Sequence, residues 1–114
     1  MTYRRGICMK CWGCGIYDND RSLEFVLNFE NLKNSGMPLE SIFKVLRNSN
    51  YMLDANCILV LADLEHKHLG QVTHRTVVRT TLKKQLTKKA LNLWTEPNKR
   101  RDLLLMYGTR WGMN

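Results

Sequence analysis

Two groups of residues in this chain have types and spacings that could do chemistry: an early run of cysteines and a late series of cations. Cys8, Cys11 and Cys14 form Cys-x2-Cys-x2-Cys, and Cys57 stands apart. Thiolates three residues apart can reach one Zn²⁺ where a tight knuckle turns the chain, and Gly13 and Gly15 suit such a turn. Two separated pairs would mark a zinc site more strongly. Here the fourth ligand is Cys57, a histidine or nothing. Cys57 lies in the most apolar stretch, where a cysteine also serves as a small buried hydrophobe. An iron–sulfur run would continue to a fourth Cys before Pro, and Ile16, Tyr17 and Asp18 follow instead. A redox dithiol at Cys11-Trp12-Gly13-Cys14 needs a strand before it and a helix starting at its first Cys, a context the glycines oppose.

The cations are more informative. Arg75, Arg79 and Lys83 follow at i, i+4 and i+8, so on a helix they share one stripe. His74, Thr76, Thr80 and Lys84 flank it, Lys88 and Lys89 come next, and Lys99, Arg100 and Arg101 form a later cluster. Arg forks match guanine edges, Thr bonds a base or touches a thymine methyl, and Lys neutralises phosphate. The bland alternative is a solvated helix face. Charge layout argues against it. The net charge is +8, yet residues 1–65 hold seven Lys/Arg against eight Asp/Glu, and residues 66–114 hold eleven against two. Such asymmetry costs self-repulsion and points to an anionic partner.

Catalysis is not expected. No P-loop, Gly-x-Ser-x-Gly, His-Glu-x-x-His or dinucleotide fingerprint occurs. His66 and His68 fall about 200° apart on a helix, so they cannot face one metal. Asp18, Asp20 and Glu24 suit the start of a helix better than a divalent-ion site.

The elements that must position these residues are mostly helical. A chain of 114 residues, 44% hydrophobic and 25% charged, has the composition of one globular domain. No apolar run approaches the ~18 residues of a membrane span. No apolar stretch follows Arg4 and Arg5 as in a secretory signal, so the expected compartment is the cytoplasm, without a membrane partner. Residues 1–20 read as an irregular Cys-rich start. Between Ser22 and Asn34 the pattern fits either strand or helix, and Ser22 as N-cap with Gly36 beyond the end favours helix. Pro38 opens a helix with Leu39, Ile42, Phe43 and Leu46 on one face, ended by Asn48-Ser49-Asn50. Asp54 caps a helix that is apolar nearly all round and stops at Gly70.

Thr73 can cap the next helix, which turns Val77, Val78 and Leu82 inward. Its apolar face spans roughly 200–340°. Beyond Gln85 the apolar positions Leu86, Ala90, Leu91, Leu93 and Trp94 move to roughly 0–160°. One straight helix cannot bury both faces against one core, so a break is expected near Gln85, or else the second half wraps a partner chain. The β-branched run between Val72 and Leu82 leaves a strand as the alternative. Pro97 restarts the chain, and Leu103 to Tyr107 with Trp111 make a final apolar element that completes the core or contacts a second copy.

The expected fold is mainly α: a single small domain, 1–114, with a tri-helical, helix-turn-helix-like centre over 38–85 and a basic, apolar C-terminal element over 86–114. Sliding the tight helix-turn-helix pattern onto Gly70 puts Glu65 and His66 where small or apolar residues belong, so a looser, winged-helix-like version is expected. The expected function is a DNA-binding transcriptional regulator, dimeric through its C-terminal element. A small adaptor or inhibitor that meets an acidic protein surface is the alternative. RNA binding through Tyr3, Trp12 and Tyr17 beside Arg4, Arg5 and Lys10 is a third.

Overall fold

A computed structural model describes residues 13–113 of the chain. Among these residues there are six α-helices: α1 Asp20–Asn34, α2 Leu39–Arg47, α3 Ala55–Leu69, α4 Arg75–Gln85, α5 Lys88–Leu91 and α6 Pro97–Arg110, with a 3-10 turn Asn50–Leu53 between α2 and α3. No β-strand is among the described elements. The ambiguous segment is therefore the helix α1, and the β-branched run is the helix α4. None of the helices is long and apolar enough to cross a membrane.

Local chemistry sets the boundaries. Asn19 caps α1 by accepting from the backbone N–H of Ser22. Ser22, expected to be the cap, instead lies buried inside the first turn. Pro38, fixed in the extended region, leads into α2. Asp54 caps α3 by accepting from Cys57 N–H, and Gly70 ends α3 at φ 78°, a left-handed turn that glycine adopts without strain. α4 starts one residue later than expected. His74 is its cap position, and the Thr73 N–H is drawn away to the Glu65 carboxylate at 3.1 Å. The break falls where the two apolar faces diverge: α4 stops at Gln85, and Thr87 caps α5 by accepting from Ala90 N–H. Pro97 stands in the first turn of α6.

α3 is the centre. Cys57 and the run from Leu59 to Glu65 are buried on all sides, with α1, α2 and α4 packed around them. Phe25 and Phe29 of α1 and Ile42, Phe43 and Leu46 of α2 form one part of this core. The Phe29 and Phe43 ring centroids lie 5.7 Å apart, and the His68 ring lies 5.2 Å from Phe29. Each of these phenylalanines contributes about 1.5–3 kcal/mol through burial alone. Leu104 and Trp111 close the other part, with Tyr107 stacked on Trp111 at 5.1 Å. The apolar C-terminal element thus completes the core, and only Leu105 and Met106 of it face solvent. The Cα envelope is flat, 39 × 36 × 19 Å.

Candidate nucleic-acid interface

α4 presents an exposed arc. Taking Arg75 as zero and 100° per residue, Arg79, Lys83, Thr76, Thr80 and Lys84 fall at about 40°, 80°, 100°, 140° and 180°. All of them are exposed. Val78, Thr81 and Leu82 make the buried side. Val77, expected to point inward, is half-exposed at the edge, and Thr81 takes its place in the interior by donating its hydroxyl to the Val77 carbonyl at 2.8 Å. Lys88 and Lys89 continue the exposed cations onto α5. Among the described residues, Arg79, Lys83, Lys84, Lys88, Lys89 and Lys99 make no ion pair.

Three other sequence-predicted cations are used differently. Arg75 donates from Nη1 to the Trp111 carbonyl at 3.1 Å and from Nη2 to the Gly112 carbonyl at 2.8 Å. Its fork ties the first turn of α4 to the end of α6, which leaves fewer donors for a base edge. Arg101 pairs with its neighbour Asp102 at 3.3 Å in full solvent, a contact of little energetic weight. Arg100 corrects the expectation outright. It is 0% exposed, donates to the Cys14 carbonyl at 3.0 Å and to Asn56 Oδ1, and lies 4.0 Å over the Trp94 ring. Arg100 is a structural cation that ties α6 to α3 and to the segment before α1, and no phosphate reaches it. His74 is exposed at the entrance to α4.

The acids of α3 are committed to cations outside that exposed row. Asp63 and Glu65, both on α3, are 1% exposed and hold cations from elsewhere in the fold. Glu65 accepts from Arg47 Nη1 through Oε2 and from the Thr73 N–H through Oε1. Asp63 accepts from the Tyr17 hydroxyl, with Lys67 Nζ at 3.3 Å and Arg110 Nη1 at 3.8 Å. Burial, and then the hydrogen bond to Asp63, push the Tyr17 phenol above its ordinary range. Burial likewise raises Tyr107, with the Asp63 charge second. Sequence reasoning missed this cluster. Its signal was two acids inside a helix otherwise apolar nearly all round. Asp18, Asp20 and Glu24 do not gather: Asp18 accepts from Gly15 N–H, Asp20 sits in the first turn of α1, and Glu24 pairs with Arg21 at 3.2 Å.

The described sulfurs have separate neighbours. Cys14 Sγ donates to the Glu96 carbonyl at 3.5 Å, and Cys57 Sγ donates to the Arg21 carbonyl at 3.8 Å. Burial pushes the Cys57 thiol up to about 12, which opposes the thiolate that a metal requires. Cys57 is thus a buried hydrophobe of the core. Among the described residues, no three His, Cys, Asp or Glu side chains are placed to hold a metal ion. Cys8 and Cys11, and with them the knuckle expected over Cys8, Cys11 and Cys14, lie outside the described residues, as do Tyr3, Arg4, Arg5, Lys10 and Trp12.

No family model matches the chain, and neither a curated protein nor a solved structure shows significant similarity to it.

Proposed function

We propose that this chain binds nucleic acid, duplex DNA first of all, as a cytoplasmic transcriptional regulator with no catalytic step of its own. The observation that carries the reading is the row of unpaired cations, Arg79, Lys83, Lys84, Lys88 and Lys89, exposed along α4 and α5 with no acid among them. α4 is ~16 Å long at 1.5 Å per residue. A helix of that size enters a major groove ~12 Å wide. In this reading α3, the link 70–74 and α4 act as a loose helix-turn-helix: Arg79, Thr76 and Thr80 meet base edges, and Lys83, Lys84, Lys88 and Lys89 meet phosphates. Burial supports that arrangement. Val72 in the link is buried, and Glu65, an acid at a position that asks for an apolar residue, is buried as well because Arg47 and the Thr73 N–H satisfy it. Leu105 and Met106 are the exposed apolar residues of α6 left for a second copy.

Mobility shifts with salt titration test the reading. Four phosphate contacts give a log–log slope near −3.6, so affinity falls about 10²-fold between 50 and 200 mM salt. Arg79→Ala should reduce sequence discrimination by ~1–3 kcal/mol, while Lys88→Ala or Lys89→Ala should weaken all sequences alike. Absence of any shift at low salt ends the proposal. A complex with a protein, held through an apolar centre, would survive the same salt range.

A further inference from the structure

The inner edge of α4 borders a cleft of about 250 Å³. Ile58, Leu61 and Ala62 of α3 and Val77 and Val78 of α4 make its walls, and Met52 closes it from the 3-10 turn. An apolar cavity of ~150 Å³ is enough to hold a benzene ring. This cleft therefore takes a ring with a small group attached.

Its polar lining narrows the choice of that group. Arg47, Glu65 and His74 line the cleft along with the apolar walls. Each Glu65 oxygen is already engaged, one by Arg47 and the other by the Thr73 N–H, so the acid is answered within the fold. Arg47 is in the opposite position. A guanidinium carries five N–H donors. Among the described residues Arg47 uses one nitrogen, on Glu65, and its side chain remains 22% exposed. The free remainder of that fork has donors placed to bond a carboxylate. The half-exposed Val77 stands at the mouth.

We infer that this cleft is a binding site for a small aromatic carboxylate, with the ring between α3 and α4 and the anion on Arg47. The inference goes beyond nucleic-acid binding and does not rest on it.

The test uses the full chain, labelled for NMR and titrated into the millimolar range with three isosteric probes: benzoate, benzyl alcohol and benzylammonium. Benzoate should shift the signals of Ile58, Ala62, Val77 and Val78 saturably. It should bind ~fivefold more tightly than benzyl alcohol, the increment of one partly exposed ion pair, with benzylammonium weakest. Val77→Phe, a change at a half-exposed position, fills the mouth and should reduce benzoate affinity by ~tenfold through simple occlusion. Arg47→Gln should bring benzoate down to the level of the alcohol. If that variant does not fold, the probe series and Val77→Phe decide alone. Benzoate shifts confined to the lysines of α4 and α5, equal binding of all three probes, or undiminished binding by Val77→Phe each overturn the inference. Equal binding of benzoate and the alcohol does so too, because it leaves an apolar slot open to any side chain.

Discussion

Asp63 and Glu65 on α3 are almost wholly buried, and the cations they need come from three places: Arg47 on α2, Arg110 on α6 and Lys67 one turn along the same helix. Arg79, Lys83 and Lys84 on α4, the very next helix, stand in solvent with no acid in reach. Burying an ion costs several kcal/mol, and only a close, hydrogen-bonded partner offsets it. Charges on α3 are therefore consumed by the fold and dictate how α2 and α6 sit against it. On α4 Arg75 alone is drawn into the fold, and Arg79, Lys83 and Lys84 hold no other element in place. The difference shows that residue type alone does not announce function; what counts is whether the fold has already answered the charge.

Arg100 offers the hardest test of that division, because it belongs to a surface-like basic cluster in sequence and to the interior in structure. Arg100→Ala strands the Cys14 carbonyl and Asn56 and should cost about 3–5 kcal/mol in urea denaturation. A loss below ~1 kcal/mol would return it to the exposed class. Alkali should come next. Tyr17, Tyr107 and Cys57 all have pKa values raised by burial, so the folded state holds their protons more tightly than the unfolded chain. The stability they confer is intact below the ordinary range of these groups and is lost as pH rises through it. Urea midpoints should hold up to near pH 9 and then fall, by about 2–4 kcal/mol toward pH 12. A flat profile would mean that these groups are not shielded. Glu65→Gln should cost less, about 2 kcal/mol, since the partly exposed Arg47 can turn to water while the Thr73 N–H keeps an oxygen acceptor. The smallest effect on folding belongs to α4: Arg79→Ala with Lys83→Ala should leave stability within ~0.5 kcal/mol. The same double variant should make the salt slope of DNA binding about one unit shallower, through the loss of Lys83. A stability loss comparable to that of Glu65→Gln would erase the contrast between the two helices.

Where a signal was local, it could be read from sequence. Asp54 three residues before Cys57, Gly70 after a basic last turn, Pro97 ahead of the final helix and the shift of apolar face at Gln85 each depend on near neighbours, and each marks its element within a residue or two. The cap of α1 went to Asn19 instead of Ser22 because both residue types compete for the role and Phe25 and Phe29 set the phase. The cap position fell on His74 instead of Thr73, whose N–H bonds Glu65 eight residues back across the Gly70 turn. The burial of Arg100 depends on Cys14, Asn56 and Trp94, which come together only after α3 and α6 have packed. The cationic arc of α4 was legible because spacing alone fixes it. The cleft beside it was not, since its walls come from three separate elements.

The bonds from Arg75 to the carbonyls of Trp111 and Gly112 have a practical corollary. They moor Trp111 and Gly112 at the doorstep of α4, so a bulky label attached at Met113 would stand next to the helix whose ligands are in question. Such a label would crowd that face and distort every titration made on it.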